Sequence, residues 1–227
     1  MAQCIANPIY DAAFKFLMED DRCVKILLSA LLKKDVVAVK VRPHEYAEKE
    51  EKRISIYRVD FGATIREADG TEHLVLVELQ KTWRPTEILR FRKYLGLQYE
   101  DKRNVSDETG LPIPIVSIYI LGHTVGDLKE PVVYVKRQYL DYDSNEIREG
   151  VPCRFVESLT HDSIIVQIPY LKDTVRNHLE RILDVFNQKY VSDESDRFVY
   201  IEGRDFSDND SQTIISRLAF AAADPEI

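Results

Sequence analysis

Apolar residues recur three and four apart near the start of the chain. Ile9, Ala13, Phe16 and Leu17 share one helical face, and Asn7-Pro8 is placed to start that helix, with Asn as N-cap and Pro at the first helical position. Asp20-Asp21 interrupts the pattern, and Val24, Leu27, Leu28, Leu31 and Leu32 resume it, predicting a second helix. The period then changes. Val36 to Val41 alternates and is rich in valine, which predicts a strand, while the charged stretch Glu45–Arg53 reads as a loop or frayed strand end. Ile54–Ile65 and Glu72–Gln80 are two extended segments separated by Glu67-Ala68-Asp69-Gly70, the strongest hairpin signal in the chain. A helix from about Pro85 to about Lys102 follows, and then Ile115–Leu121, an unbroken apolar run of the kind a buried parallel strand shows. Val132–Tyr139 and Ile164–Ile168 predict further strands. Thr174–Asn187 predicts an amphipathic helix, Ser192–Asp210 an acidic loop and Gln212–Ala223 a last helix. This order predicts one α/β domain, a mixed β-sheet flanked by helices and preceded by a helical pair.

The hairpin breaks the apolar rule in three places. Asp60 stands between Val59 and Phe61, and Glu78 and Gln80 end the run from Leu74 to Leu79. Glu78 and Gln80 share a strand face because side chains alternate. The turn decides whether Asp60 joins them. A two-residue Asp69-Gly70 loop sets Asp60 opposite Leu79. A three-residue Ala68-Asp69-Gly70 loop pairs Glu67 with Thr71 and sets Asp60 opposite Glu78, with Gly70 in the left-handed position such a loop needs. The three-residue loop is the reading adopted. Two carboxylates would then face each other at about 4.5–5.5 Å between Cβ atoms, which destabilises a sheet unless a cation holds both ionised. Mg²⁺ or Mn²⁺ suits such oxygen donors. The structural alternative is that Asp60 pairs with Arg58, Lys81 or Arg90 and Glu78 sits at a solvated strand end.

Composition narrows the field. With 44% hydrophobic and 31% charged residues, the 227-residue chain is globular in character. Cys4, Cys23 and Cys153 are scattered and odd in number, which suggests a reducing compartment, the cytoplasm by default, and no zinc site. No apolar run reaches membrane-spanning length and no secretory signal is legible, so no membrane partner is expected. The chain has no Gly-rich phosphate loop, no H-E-x-x-H and no nucleophile elbow. A net charge of −8 opposes nucleic-acid binding by overall attraction. Lys81 to Arg103, however, holds seven basic residues against three acids, a local +4 against −12 elsewhere. Charge alone reads this segment as a solvated helix face. Its place directly after the acidic strand would also let Arg84, Arg90, Arg92 and Lys93 meet phosphates, with Trp83 beside them to stack on a base or to pack.

The ordered set Asp11-Ala-Ala-Phe14-Lys15, Val59-Asp60-Phe61, Val77-Glu78-Leu79-Gln80 and Arg90-x-x-x-Tyr94, with Ile168-Pro169-Tyr170-Leu171 further on, resembles the PD-(D/E)-x-K nuclease superfamily. The likeness is closest to its bacterial branch of transposases and recombination-promoting nucleases. It implies a restriction-endonuclease-like core over residues 1–190, with 191–227 as a C-terminal extension, an acidic loop and helix, that would continue beyond Ile227. It implies a metal-dependent DNA endonuclease, with DNA and a second copy of the chain in a homodimer as partners. Asp60 and Glu78 would be metal ligands, with the Leu79 carbonyl a third contact. Gln80 takes the place of the superfamily lysine. Asp11 and Lys15 would join the catalytic group, or form a mutual salt bridge four residues apart on one helix face. Arg90 would bind phosphate or fix Glu78, and Tyr94 would face the site or pack in the core. A protein-interaction module on the same fold, with little or no catalysis, is the competing reading.

Overall fold

The computed structural model describes residues 4–42, 56–82, 88–107 and 109–224. The predicted loop at Glu45–Arg53 lies outside them. Strand β1 (Cys4–Ala6) opens the chain and is followed by α1 (Asp11–Met18) and α2 (Asp21–Leu32). Asn7 does not cap α1. Tyr10 is the residue before the helix and makes no side-chain cap. Asn7 is buried instead, its Oδ1 accepting from the Ile9 amide at 3.2 Å and its Nδ2 donating to the Asp196 carbonyl at 2.8 Å. The polar side chain that reads as a cap serves a tertiary contact. Asp20 does cap α2, accepting from the Arg22 amide.

A six-stranded sheet forms the centre: β2 (Asp35–Arg42), β3 (Ile56–Arg66), β4 (Glu72–Thr82), β5 (Ile115–Leu121), β6 (Val132–Val135) and β7 (His161–Gln167), ordered β2-β3-β4-β5-β7-β6. β2, β3 and β4 form an antiparallel meander, β5 and β7 run parallel to β4, and β6 returns antiparallel on β7. The parallel step from β4 to β5 is made through α3 (Ile88–Glu100), as such a connection requires a long crossover. The predicted strand at Val132–Tyr139 is shorter, and the predicted helix at Thr174–Asn187 reduces to α5 (His178–Leu183) followed by a 3₁₀ turn. Asn177 accepts from the Glu180 amide and so starts α5 later than the apolar spacing suggests. A short helix, α4 (Arg154–Leu159), lies between β6 and β7 and has no buried residue, which is why periodicity does not announce it.

Alternation sorts the sheet into two faces. Phe61, Ala63, Val75, Val77, Leu79, Ile118, Ile120, Ile164 and Val166 pack with Phe14 and Leu17 of α1, Leu27, Leu28 and Leu31 of α2, and Leu183 of α5 in one apolar cluster. The opposite face carries a smaller cluster of Leu76, Ile113 and Ile115, against which Leu95 of α3 packs. The last two elements, β8 (Phe198–Tyr200) and α6 (Asn209–Ala223), belong to the main cluster through Val199, Ile214, Ile215 and Leu218. β8 lies in the stretch expected to be acidic loop, and it pairs with β1, Cys4 opposite Tyr200. β8 and α6 therefore share the core with the elements that precede residue 191.

Candidate metal centre

The β3–β4 turn sets the site. Glu67 N donates to the Thr71 carbonyl at 2.8 Å, Gly70 N to the Glu67 carbonyl at 2.9 Å, and Gly70 has φ +84°. This is the three-residue loop. Its register, Arg66 opposite Glu72, carries down the hairpin to put Asp60 opposite Glu78 and Arg58 opposite Gln80.

The same line of backbone partners runs across five strands, from Arg42 through Asp60, Glu78 and Ser117 to Ser163. It lies on the α3 side of the sheet. Asp60 is 3% exposed and Ser117 is fully buried in this row, as is Gln80 two residues along β4 from Glu78. Ser117 and Ser163 share a hydrogen bond of 2.8 Å between their hydroxyls. The side chains of Glu78 and Arg90 lie outside the described positions, as do Trp83 and Arg84 altogether.

Helix α3 supplies a partner of Asp60. Gln98, 4% exposed, donates from Nε2 to Asp60 Oδ2 at 2.6 Å. Its Oε1 accepts from Asn104 Nδ2 at 2.9 Å, and the same nitrogen reaches the Gln98 carbonyl at 2.9 Å. Asn104 Oδ1 in turn accepts from Arg42 Nη1, whose Nη2 donates to the Arg103 carbonyl at 3.2 Å. Arg42, Asp60, Gln98 and Ile115 line one narrow pocket. The next residue on the helix, Tyr99, bonds its hydroxyl to His161 Nδ1 at 2.9 Å. Burial pushes the Tyr99 phenol up, and burial with the nearby Arg137 charge pulls His161 down against the opposing pull of Asp162. None of Gln98, Asn104, Ser117 or Arg42 was expected at the site. One signal was present for Gln98: it continues the Phe91, Leu95 spacing, an amide at a position where helical periodicity calls for an apolar residue.

Asp11 and Lys15 lie elsewhere. Lys81, 5% exposed, points to the opposite face of β4, donates to Asp11 Oδ1 at 2.7 Å and to the Ile9 carbonyl, and sits 5.5 Å from the Phe14 ring centroid. Burial lowers its pKa, and the Asp11 carboxylate opposes that shift. Lys15 is exposed, 4.0 Å from Glu19, so the Asp11–Lys15 bridge does not form. Leu79 is fully buried in the main cluster, its backbone in register with Val59 and Ile118. Arg92 and Lys93 are exposed on α3, and Tyr94 is half-buried there. Phe91 packs on Tyr119, ring centroids 4.9 Å apart, beside Gln80 in the register.

The donors in the Asp60 group are oxygens: a buried carboxylate, a second carboxylate residue opposite it and a buried amide. No thiol or imidazole stands in that set, which fits a hard divalent cation. Among the described residues a further group, His178, Asp208 and Asp210, has ligand atoms close enough for an ion. Asp208 there already caps α6 through the Ser211 amide and lies 3.3 Å from Arg181, so its carboxylate is engaged in holding the helix. The three cysteines are free. No described helix is long and apolar enough to cross a membrane. The chain is a mixed α/β protein with helices on both faces of its sheet. Comparison with protein-family models, with curated proteins and with solved structures finds no match to it.

Proposed function

We propose that the protein is a metal-dependent DNA endonuclease with a restriction-endonuclease-like core, serving recombination or a mobile element. The observation that carries this reading is the register that puts Glu78 directly opposite the buried Asp60. Acids directly opposite each other on neighbouring strands destabilise a sheet, and a divalent cation between them would remove the conflict. Asp60 and Glu78 would hold Mg²⁺ or Mn²⁺, and Gln80 would orient a water by hydrogen bonding. The ion's part is Lewis-acid stabilisation of charge developing on the phosphate. In the hydrolysis a water oxygen bonds to phosphorus while the bridging sugar oxygen leaves and takes up a proton. Arg92 and Lys93, exposed on α3, would neutralise backbone phosphates that an acidic protein otherwise repels.

The test is nicking of supercoiled plasmid in Mg²⁺ or Mn²⁺. Asp60→Ala is expected to abolish it, and equal cleavage by the variant and the wild type refutes the assignment. One observation favours a second reading, a nuclease-fold interaction module with little catalysis. Gln80 cannot supply positive charge, and the adjacent Lys81 is turned away into its contacts with Asp11 and Ile9. Calorimetric titration with Mn²⁺ separates the two, since no binding at millimolar metal favours the module.

A further inference from the structure

A carboxylate that is only 3% exposed needs hydrogen-bond partners, and a metal ligand also needs a fixed direction. Gln98 provides both to Asp60. Its Nε2 is committed to Asp60 Oδ2 at 2.6 Å, and its own amide cannot flip freely because Oε1 accepts from Asn104 at 2.9 Å. An amide that donates at one end and accepts at the other has a single consistent orientation. Asn104 is held the same way, donating to Gln98 and accepting from Arg42. The relay therefore begins at a guanidinium, which is always charged and donates only, and ends at a carboxylate, which only accepts. Each amide between them is polarised so that the donor face of Gln98 is aimed at Asp60. The three partners come from β2, the α3 C-terminal turn and the 3₁₀ turn Lys102–Asn104 that follows it, so the relay also fixes α3 to the hairpin.

We infer that Gln98 is the positioning residue of the site: it sets the direction of the Asp60 carboxylate for a divalent cation, and Asn104 and Arg42 set Gln98. This rests on the metal-centre reading above. The role is distinct from packing. An apolar residue of the same length would fill the space under α3 equally well and still remove the Gln98 donor from Asp60.

The experiment is titration of the full chain with Mn²⁺ by calorimetry, for wild type, Gln98→Met and Gln98→Ala, with thermal unfolding of each. Gln98→Met retains volume and removes the donor. It is expected to melt near wild type and to bind Mn²⁺ about 10- to 100-fold more weakly, as loss of an outer partner of a metal ligand does. Gln98→Ala is expected to lose as much affinity and to melt lower. In plasmid nicking, Gln98→Met should need more Mn²⁺ for half-maximal rate and recover most of the rate at saturating metal. A packing role alone predicts that Met keeps the affinity and only Ala loses it, and that result overturns the inference. So does tighter binding by Gln98→Met, which would mean that Gln98 competes with the ion. Failure of wild type to bind Mn²⁺ at millimolar concentration overturns the metal reading and this inference together, whereas wild-type binding with an unaffected Met variant overturns the inference alone. Should Gln98→Met fail to fold, Arg42→Gln at the half-buried start of the relay takes its place, with a smaller loss of affinity expected and unchanged affinity refuting the relay.

Discussion

Lys81 carries an ammonium into a place that nearly excludes water, and Asp11 and Phe14 of the Asp11-to-Lys15 motif are among its partners. Asp11 supplies the counter-charge, Ile9 a carbonyl and Phe14 a ring face. Removing one member of a buried ion pair costs about 3–5 kcal/mol, because the other charge is left uncompensated. Asp11 is 36% exposed at its side chain, so solvent already screens part of that interaction. Asp11→Ala is therefore expected to destabilise by about 1–3 kcal/mol in urea unfolding. Lys81→Met, which exchanges the charge for volume, is expected within about 1 kcal/mol of wild type. The pH dependence has a definite sign. Burial lowers the Lys81 pKa in the folded state from its ordinary 10.5, so the folded chain sheds this proton before the unfolded chain does. The cost of burying the charge is complete below the folded pKa and fades as pH rises toward 10.5. Wild type should gain stability relative to Lys81→Met over that alkaline window, and a constant difference across it counts against the account. Lys81's direction was readable from alternation; its partner was not, because nothing local links residues seventy apart.

At the scale of elements, the β3–β4 hairpin is the part of the fold most legible from the chain, and Gly70 is the reason. Its φ of +84° lies where an L side chain is strained, while a Cβ added there meets nothing within 4 Å. The cost of substitution is thus a backbone cost alone. Gly70→Ala is expected to lower stability by about 1–2 kcal/mol in thermal unfolding, and Gly70→Asn by less. Mn²⁺ affinity should survive both, because β2 and β5 hold the outer edges of the hairpin in register. Loss of metal binding in Gly70→Ala would mean that the turn, not the sheet, sets the Asp60–Glu78 pairing. The long strands and α2 were legible for the same reason, strong periodicity with a cap or turn residue at the boundary. β1 and β8, three residues each, are too short for any period to register. α5 starts late because its asparagine cap outweighs the apolar spacing upstream. The relay of Arg42, Asn104 and Gln98 was illegible for another reason: its members sit on three elements, and each is an ordinary polar residue until the fold brings them together.

The whole molecule is held at its rear by residues that follow 190. Val199, Phe206, Ile214, Ile215 and Leu218 are all at most 6% exposed, and they cover the helices that cover the sheet. Arg204 adds a buried ion pair with Asp184 at 2.6 Å and stacks over Tyr190, 4.1 Å from the ring centroid. Full burial of one such apolar side chain contributes about 1.5–3 kcal/mol. Five of them rival the roughly 5–15 kcal/mol of net stability that a domain has in all. A chain ending at Tyr190 is therefore expected to lack a cooperative unfolding transition and to bind a hydrophobic dye. A cooperative melt of that fragment would show that the preceding residues form a self-sufficient unit.

The pairing of β1 with β8 also sets a timetable for folding during synthesis. Cys4 meets Tyr200, so β1, once outside the ribosome, must wait for β8 to be made. At about 5–20 residues per second the delay is on the order of 10–40 s. Through that interval the faces of α1 and α2 that α6 will cover are open to water and to other nascent chains. A chaperone that shields short apolar helices has its opportunity there, and slowing translation between β7 and β8 would lengthen it.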